Sequence, residues 1–151
     1  METNSNNNTA TFIHLSSLSQ YFIPFGNFIF PILIWSSKKN ESEFIDYNGK
    51  QVINFQLSLF LYTLILGMIA IPIFLFTVFQ NIPFNAVIND HNYIFSHLNI
   101  QNMTGTIIIA LIAIFTFIGL KVAEFFLIIY ASLKTSNGEK YNYPLTIPFM
   151  K

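Results

Sequence analysis

The stretch that decides the fold is Val52–Phe79, VINFQLSLFLYTLILGMIAIPIFLFTVF, echoed by Thr106–Leu133, TIIIALIAIFTFIGLKVAEFFLIIYASL. A bilayer core of about 30 Å is crossed by roughly 20 helical residues, and each stretch exceeds that. The surplus predicts tilt or extension into the headgroups. Burying such helices in a water-soluble fold takes a polar shell, and the chain has none: 53% of its 151 residues are hydrophobic and 9% charged. An ordinary soluble domain carries about 25% charge. That shortage argues against a free cytosolic enzyme.

Charge and cysteine usage exclude more. Seven lysines, with no arginine, balance seven acidic residues, so there is no basic field to hold nucleic acid. The absence of cysteine removes disulfides, thiolate nucleophiles, zinc ribbons and iron–sulfur clusters. No phosphate-binding loop, nucleophile elbow or paired-carboxylate motif occurs, and no enzyme activity or cofactor is expected. His91 and His97 beside Asp90 do not have the spacing of a metal site.

A third apolar stretch, Phe12–Trp35, is interrupted. His14, Ser17 and Tyr21 share a helical face, and Pro24, Phe25, Gly26, Asn27 and then Pro31 follow. Pro24 and Pro31 cannot donate to the carbonyls of Gln20 and Asn27, so one straight helix is disfavoured. Carbonyls freed at membrane depth need partners in protein or water. The segment reads as a broken spanning helix or a re-entrant hairpin, the span being preferred because residues 1–11 lack positive charge. The expected fold is thus an all-α integral membrane protein with segments at about 12–36, 52–79 and 105–133. The first is broken at Pro24–Asn27, with hydrogen bonding interrupted between Phe22 and Phe28 and freed carbonyls meeting Asn54 and Gln56.

The ends and loops complete this single domain, 12–151. Residues 1–11 read as a disordered tail. With no lysine and no small-residue cleavage site ahead of the first apolar stretch, a cleaved signal peptide is not expected. Gln80–Met103 reads as a polar exterior loop in which residues 86–98 are a weak candidate for a surface helix. Asn137-Gly138 is a helix stop, Gly138 suiting the left-handed position, and prolines extend the tail beyond it. Lys38, Lys39 and Lys50 precede the second segment, while Lys134, Lys140 and Lys151 follow the third. By the positive-inside rule, loop 37–51 and the C-terminus face the cytoplasm of a bacterial inner membrane.

The costliest residues are Lys121 and Glu124, three apart within the third stretch and on one helical face. They read either as a self-neutralised pair packing against helices or a partner subunit, or as a relay lining a path. Asn54, Ser58 and Tyr62, with Gln56 beside them, form a polar row suited to hydrogen bonding between helices. Gly67 with Ala70 and Gly119 with Ala123 offer small surfaces for close approach, and Pro72 bends its helix by freeing the Met68 carbonyl.

Three ordered motifs resemble the DUF4870 or Tic20-like family of small membrane proteins. The first is His14-Leu15-Ser16 with Pro24, Phe25, Gly26, Asn27, Pro31 and Trp35. The second runs from Asp46 through Gly49 and Lys50 to Asn54, Phe55 and Gln56. The last is Asn137-Gly138-Glu139 with Tyr143 and Pro144. The long Gln80–Met103 loop and the Lys121/Glu124 pair depart from that pattern. The resemblance implies a non-enzymatic inner-membrane scaffold or accessory subunit, linked to protein translocation or envelope assembly. Its partners would be the lipid bilayer and either further copies of the chain or a larger membrane protein. The competing reading is a small oligomeric transporter or channel using the broken first segment and Lys121/Glu124.

Overall fold

The computed structural model describes residues 2–81 and 104–151, all-helical with an extended tail and no strand among them. Its elements are α1 (Glu2–Ser16), a 3-10 turn (Ser17–Tyr21), α2 (Gly26–Lys38), α3 (Glu43–Asn81) and α4 (Thr104–Ser136). The outer loop, its candidate surface helix and the His91/His97/Asp90 group lie outside the described residues. Two helices, at Glu43–Thr77 and Thr104–Ser136, are long and apolar enough to cross a membrane. Both outrun the apolar stretches that predict them. Once nucleated, a helix adds one hydrogen bond for each residue it recruits, so polar flanks such as Glu43–Gln51 are drawn in.

The first apolar stretch departs from the expectation of three spans. Helix α1 begins at Glu2, within the residues read as a disordered tail, and ends at Ser16. The 13-residue α2 then rises only about 20 Å, short of a bilayer core. The break also lies earlier than Phe22, because serines take over the backbone. Ser16 Oγ donates to the Ile13 carbonyl at 2.7 Å and Ser19 Oγ to the Ser16 carbonyl at 2.6 Å. The Ser19 carbonyl accepts from both Phe22 N and Ile23 N. Freed carbonyls are therefore met locally, and Asn54 and Gln56 have other partners.

Contacts along the chain show how α1 and α2 run. Asn7 lies beside Gly138, His14 meets Asn48, Gln20 meets Glu124, Asn27 meets Gln56, and Trp35 returns to Asp46. The chain thus goes in along α3 from the level of Asn48 to that of Gln56, turns at Tyr21–Phe25, and comes back. It is a hairpin, α1 packing on α2. Gly49 permits the return, since a Cβ there would overlap the Trp35 ring.

The described residues divide into two compact units, Met1–Leu61 with Leu120–Lys151, and Tyr62–Gly119. In the first, Ile13, Ile45, Val52, Phe55, Ile128, Ala131 and Tyr143 form the core. Helix α4 enters it and stops at Gly138, which takes φ +81°; Glu139 N bonds to the Lys134 carbonyl and Gly138 N to that of Thr135. The tail then lies along α3. Tyr143 stacks on Phe55 at 4.0 Å, Ile147 N donates to Ser58 Oγ, and Asn54 clasps the backbone of Met150 through both its amide nitrogen and its oxygen. In the second unit, the apolar side chains of Leu64–Phe76 and Ile107–Ile118 are largely exposed, as a lipid-facing surface would be.

Candidate functional site

The chemistry-bearing residues collect in the first unit, in two buried networks. The first centres on His14, which is fully buried. Asn48 Nδ2 donates to the Phe44 carbonyl at 2.9 Å, so its oxygen is the acceptor that faces His14 Nε2 at 3.2 Å. His14 therefore carries its proton on Nε2. Its Nδ1 accepts from the Tyr143 hydroxyl at 2.7 Å. Thr135 Oγ1 also approaches Asn48 Oδ1, at 3.4 Å. One residue each from α1, α3, α4 and the tail is thereby tied into a closed set.

Burial governs the titration of this set. It lowers the His14 pKa from 6.5 to about 4, the Asn48 hydrogen bond opposing the shift, so the ring is neutral at pH 7. Burial also holds the Tyr143 phenol well above its usual range, with Tyr141 and Glu124 adding to the rise, and it remains a donor. Neither group is set to exchange protons near neutrality.

The second network joins the hairpin to α4. Lys121 Nζ meets Glu124 Oε2 at 2.8 Å, and Gln20 Nε2 donates to Glu124 Oε1 at 2.8 Å. Lys121 Nζ also donates to Gln20 Oε1 at 3.2 Å, closing a triangle. Glu124 is 1% exposed, whereas the Lys121 side chain is 35% exposed. Both carboxylate oxygens have charged or amide donors, which is how a buried carboxylate stays compensated. On the other flank, Asn27 Nδ2 donates to Gln56 Oε1 at 2.7 Å.

The expected polar row on α3 splits between duties. Asn54 and Ser58 hold the tail and Gln56 holds the hairpin, whereas Tyr62 belongs to the second unit. Lys50 pairs with Asp46 on α3 itself at 2.6 Å, and Asp46 receives the Trp35 indole N–H at 3.0 Å. Phe25 sits at φ 60°, just before α2. Sequence reasoning missed Asn48 and Tyr143 as partners of His14, Thr135 as a partner of Asn48, and Gln20 as the third member of the Lys121/Glu124 group. Asn48 has one available signal, its spacing from Val52 and Phe55 on a buried helical face. Thr135 has none, because its partner is 87 positions away.

Residues 5–150 match the MamF/MmsF family, described as the magnetosome magnetite crystal formation protein family. The match takes in nearly all of the described residues, and the chain belongs to that family. The family is described by crystal formation rather than by an enzymatic activity. This corrects the DUF4870 or Tic20-like resemblance, and the translocation role goes with it. The motifs behind that resemblance contain His14, Asn27, Gly49, Gln56, Gly138 and Tyr143, which close helix contacts. They report packing, and packing does not specify a role. No curated protein and no solved structure matches the chain.

Proposed function

We propose that this chain is a non-enzymatic, membrane-embedded accessory protein of magnetite crystal formation, acting at a magnetosome membrane. The observation that carries the proposal is the family match over residues 5–150, which takes in the hairpin, the two long helices and the tail. The buried chemistry supports a structural part for the polar residues. Both nitrogens of His14 and Oε1 of Glu124 are spent on contacts between elements, and Glu124 Oε2 pairs with Lys121 on its own helix. Lys140 pairs with Glu43, Lys38 with Glu41 and Lys134 with Glu139, which gathers the lysines flanking the long helices at one end of the first unit. That end is assigned to the cytoplasm. The chain assembles there with copies of itself or with a larger membrane protein.

The test is deletion of the gene in a magnetite-forming host, with crystal size and shape measured by electron microscopy. Smaller or misshapen crystals, restored by the wild-type gene, are the expected result. Crystals unchanged in size, shape and number would overturn the reading. Purification in mild detergent gives the mass of the complex, and a monomer would end the assembly part of the proposal.

A further inference from the structure

The turn between the 3-10 segment and α2 is an exposed apolar tip. Phe22 is 88% exposed and Phe25 65%, and Tyr21 and Ile23 are about half exposed. No aspartate, glutamate or lysine occurs between Phe12 and Ser37. The tip is held from two sides by the deepest polar residues of the first unit, Gln20 on Glu124 and Lys121, and Asn27 on Gln56. Measured along the helices, Gln56 lies roughly 20 Å from Glu43, and Glu124 roughly 18 Å from Ser136. The charged ends of α3 and α4 are at Glu43 and Lys134, so the tip sits far from them. Its surface also continues onto α4, where Tyr21 meets Phe125 edge-on at 6.4 Å and Val122, Phe125 and Phe126 are exposed.

We infer that α1, the 3-10 segment and α2 form a re-entrant hairpin whose Tyr21–Phe25 tip is seated in the acyl chains of the near membrane leaflet. The hairpin enters and leaves on one face, so that among the described helices only α3 and α4 cross the bilayer and residue 4 lies on the side of residues 39–42. The occupant is lipid because the patch is uncharged and continuous with the exposed apolar face of α4 at Val122, Phe125 and Phe126. Around the turn the Ser19, Ile23 and Phe25 carbonyls accept amide protons, which lowers the cost of placing this backbone at bilayer depth. Lys121/Glu124 and Gln56 then act as clamps that position the tip. The inference is independent of the part played in crystal formation.

The native chain has no cysteine, so single cysteines report cleanly. Asn4→Cys and Glu41→Cys are placed at exposed positions and treated in cells with a membrane-impermeant maleimide, before and after lysis. The two should respond alike; a cysteine at 4 that labels from the opposite face to one at 41 would make the segment a span and overturn the inference. A nitroxide on Phe22→Cys, in phosphatidylcholine and phosphatidylglycerol vesicles, then reads the occupant. Relaxation by oxygen at least several-fold stronger than by an aqueous nickel chelate is expected, with the reverse at position 41. Nickel accessibility at 22 equal to that at 41 would put the tip in water. A probe shielded from both would put it against protein. Either result sinks the lipid assignment.

Discussion

The two long helices are built on opposite rules at their two ends. From Glu43 to Leu61 and from Leu120 to Ser136 they bury polar side chains: Asn48, Asn54, Gln56, Ser58, Glu124, Ser132 and Thr135. From Tyr62 to Gly119, the described residues of the same helices present isoleucine, leucine and phenylalanine outward. In lipid an apolar surface is already solvated, so the second unit needs little packing to be stable. Buried polar groups must be paired exactingly, so the first unit has tertiary structure that its sequence must specify. The lesson is that in this chain polarity, and not apolarity, marks where the interior is.

The contrast predicts where substitutions hurt. The largest effect is expected at Glu124. Glu124→Leu strands the Lys121 ammonium and the Gln20 amide together, and removing one partner of a buried pair costs roughly 3–5 kcal/mol. The partial exposure of Lys121 favours the lower end. Thermal unfolding in detergent measures this, and adding Lys121→Met should recover much of the loss. In the second unit Thr116→Val, which removes only a bond to the Ile112 carbonyl, should change stability by less than about 0.5 kcal/mol. Equal losses at the two sites would erase the comparison.

Next comes pH. The unfolded chain protonates His14 near 6.5 and the native chain only near 4, so between those values the unfolded state binds more protons. This contribution is intact above about pH 6.5 and is lost as the pH falls toward 4. It amounts to at most about 3 kcal/mol from 1.36 kcal/mol per unit. His14→Phe should be less stable at pH 7.5, because Tyr143 and Asn48 each lose a buried hydrogen bond, but its melting temperature should fall less steeply between pH 6.5 and 4.5. Parallel slopes for variant and wild type would remove His14 from the account.

Smaller still is the contrast between glycines. Gly49→Ala drives a methyl group into the Trp35 ring and should cost about 1–3 kcal/mol, since overpacked sites must shift side chains or backbone. Gly119→Ala meets nothing within 4 Å and should lie within about 0.5 kcal/mol of wild type. The measurement is again the melting temperature in detergent. A heavy loss at Gly119 would sharpen the comparison differently, by showing that this face is covered by another copy in the assembly.

Part of this was legible in the residues. Val52–Phe79 and Thr106–Leu133 determine by themselves two helices long and apolar enough to cross a membrane, because length and apolarity are local properties. Gly138 determines the end of α4 because only a residue tolerant of positive φ closes that last turn cheaply. The prolines and glycine at 24–31 determine that Phe12–Trp35 cannot be one straight helix.

That the two arms of this stretch fold back on each other was decided only in three dimensions. Span and hairpin have the same composition and the same break, and they differ in what the two arms touch. Those contacts are far apart in sequence: His14 with Tyr143 across 129 positions, Gln20 with Glu124 across 104 and Asn27 with Gln56 across 29. Hydrophobic periodicity carries no record of such pairings. Each polar side chain had several candidate partners, and a buried donor accepts only the one that the packed helices bring within hydrogen-bond distance.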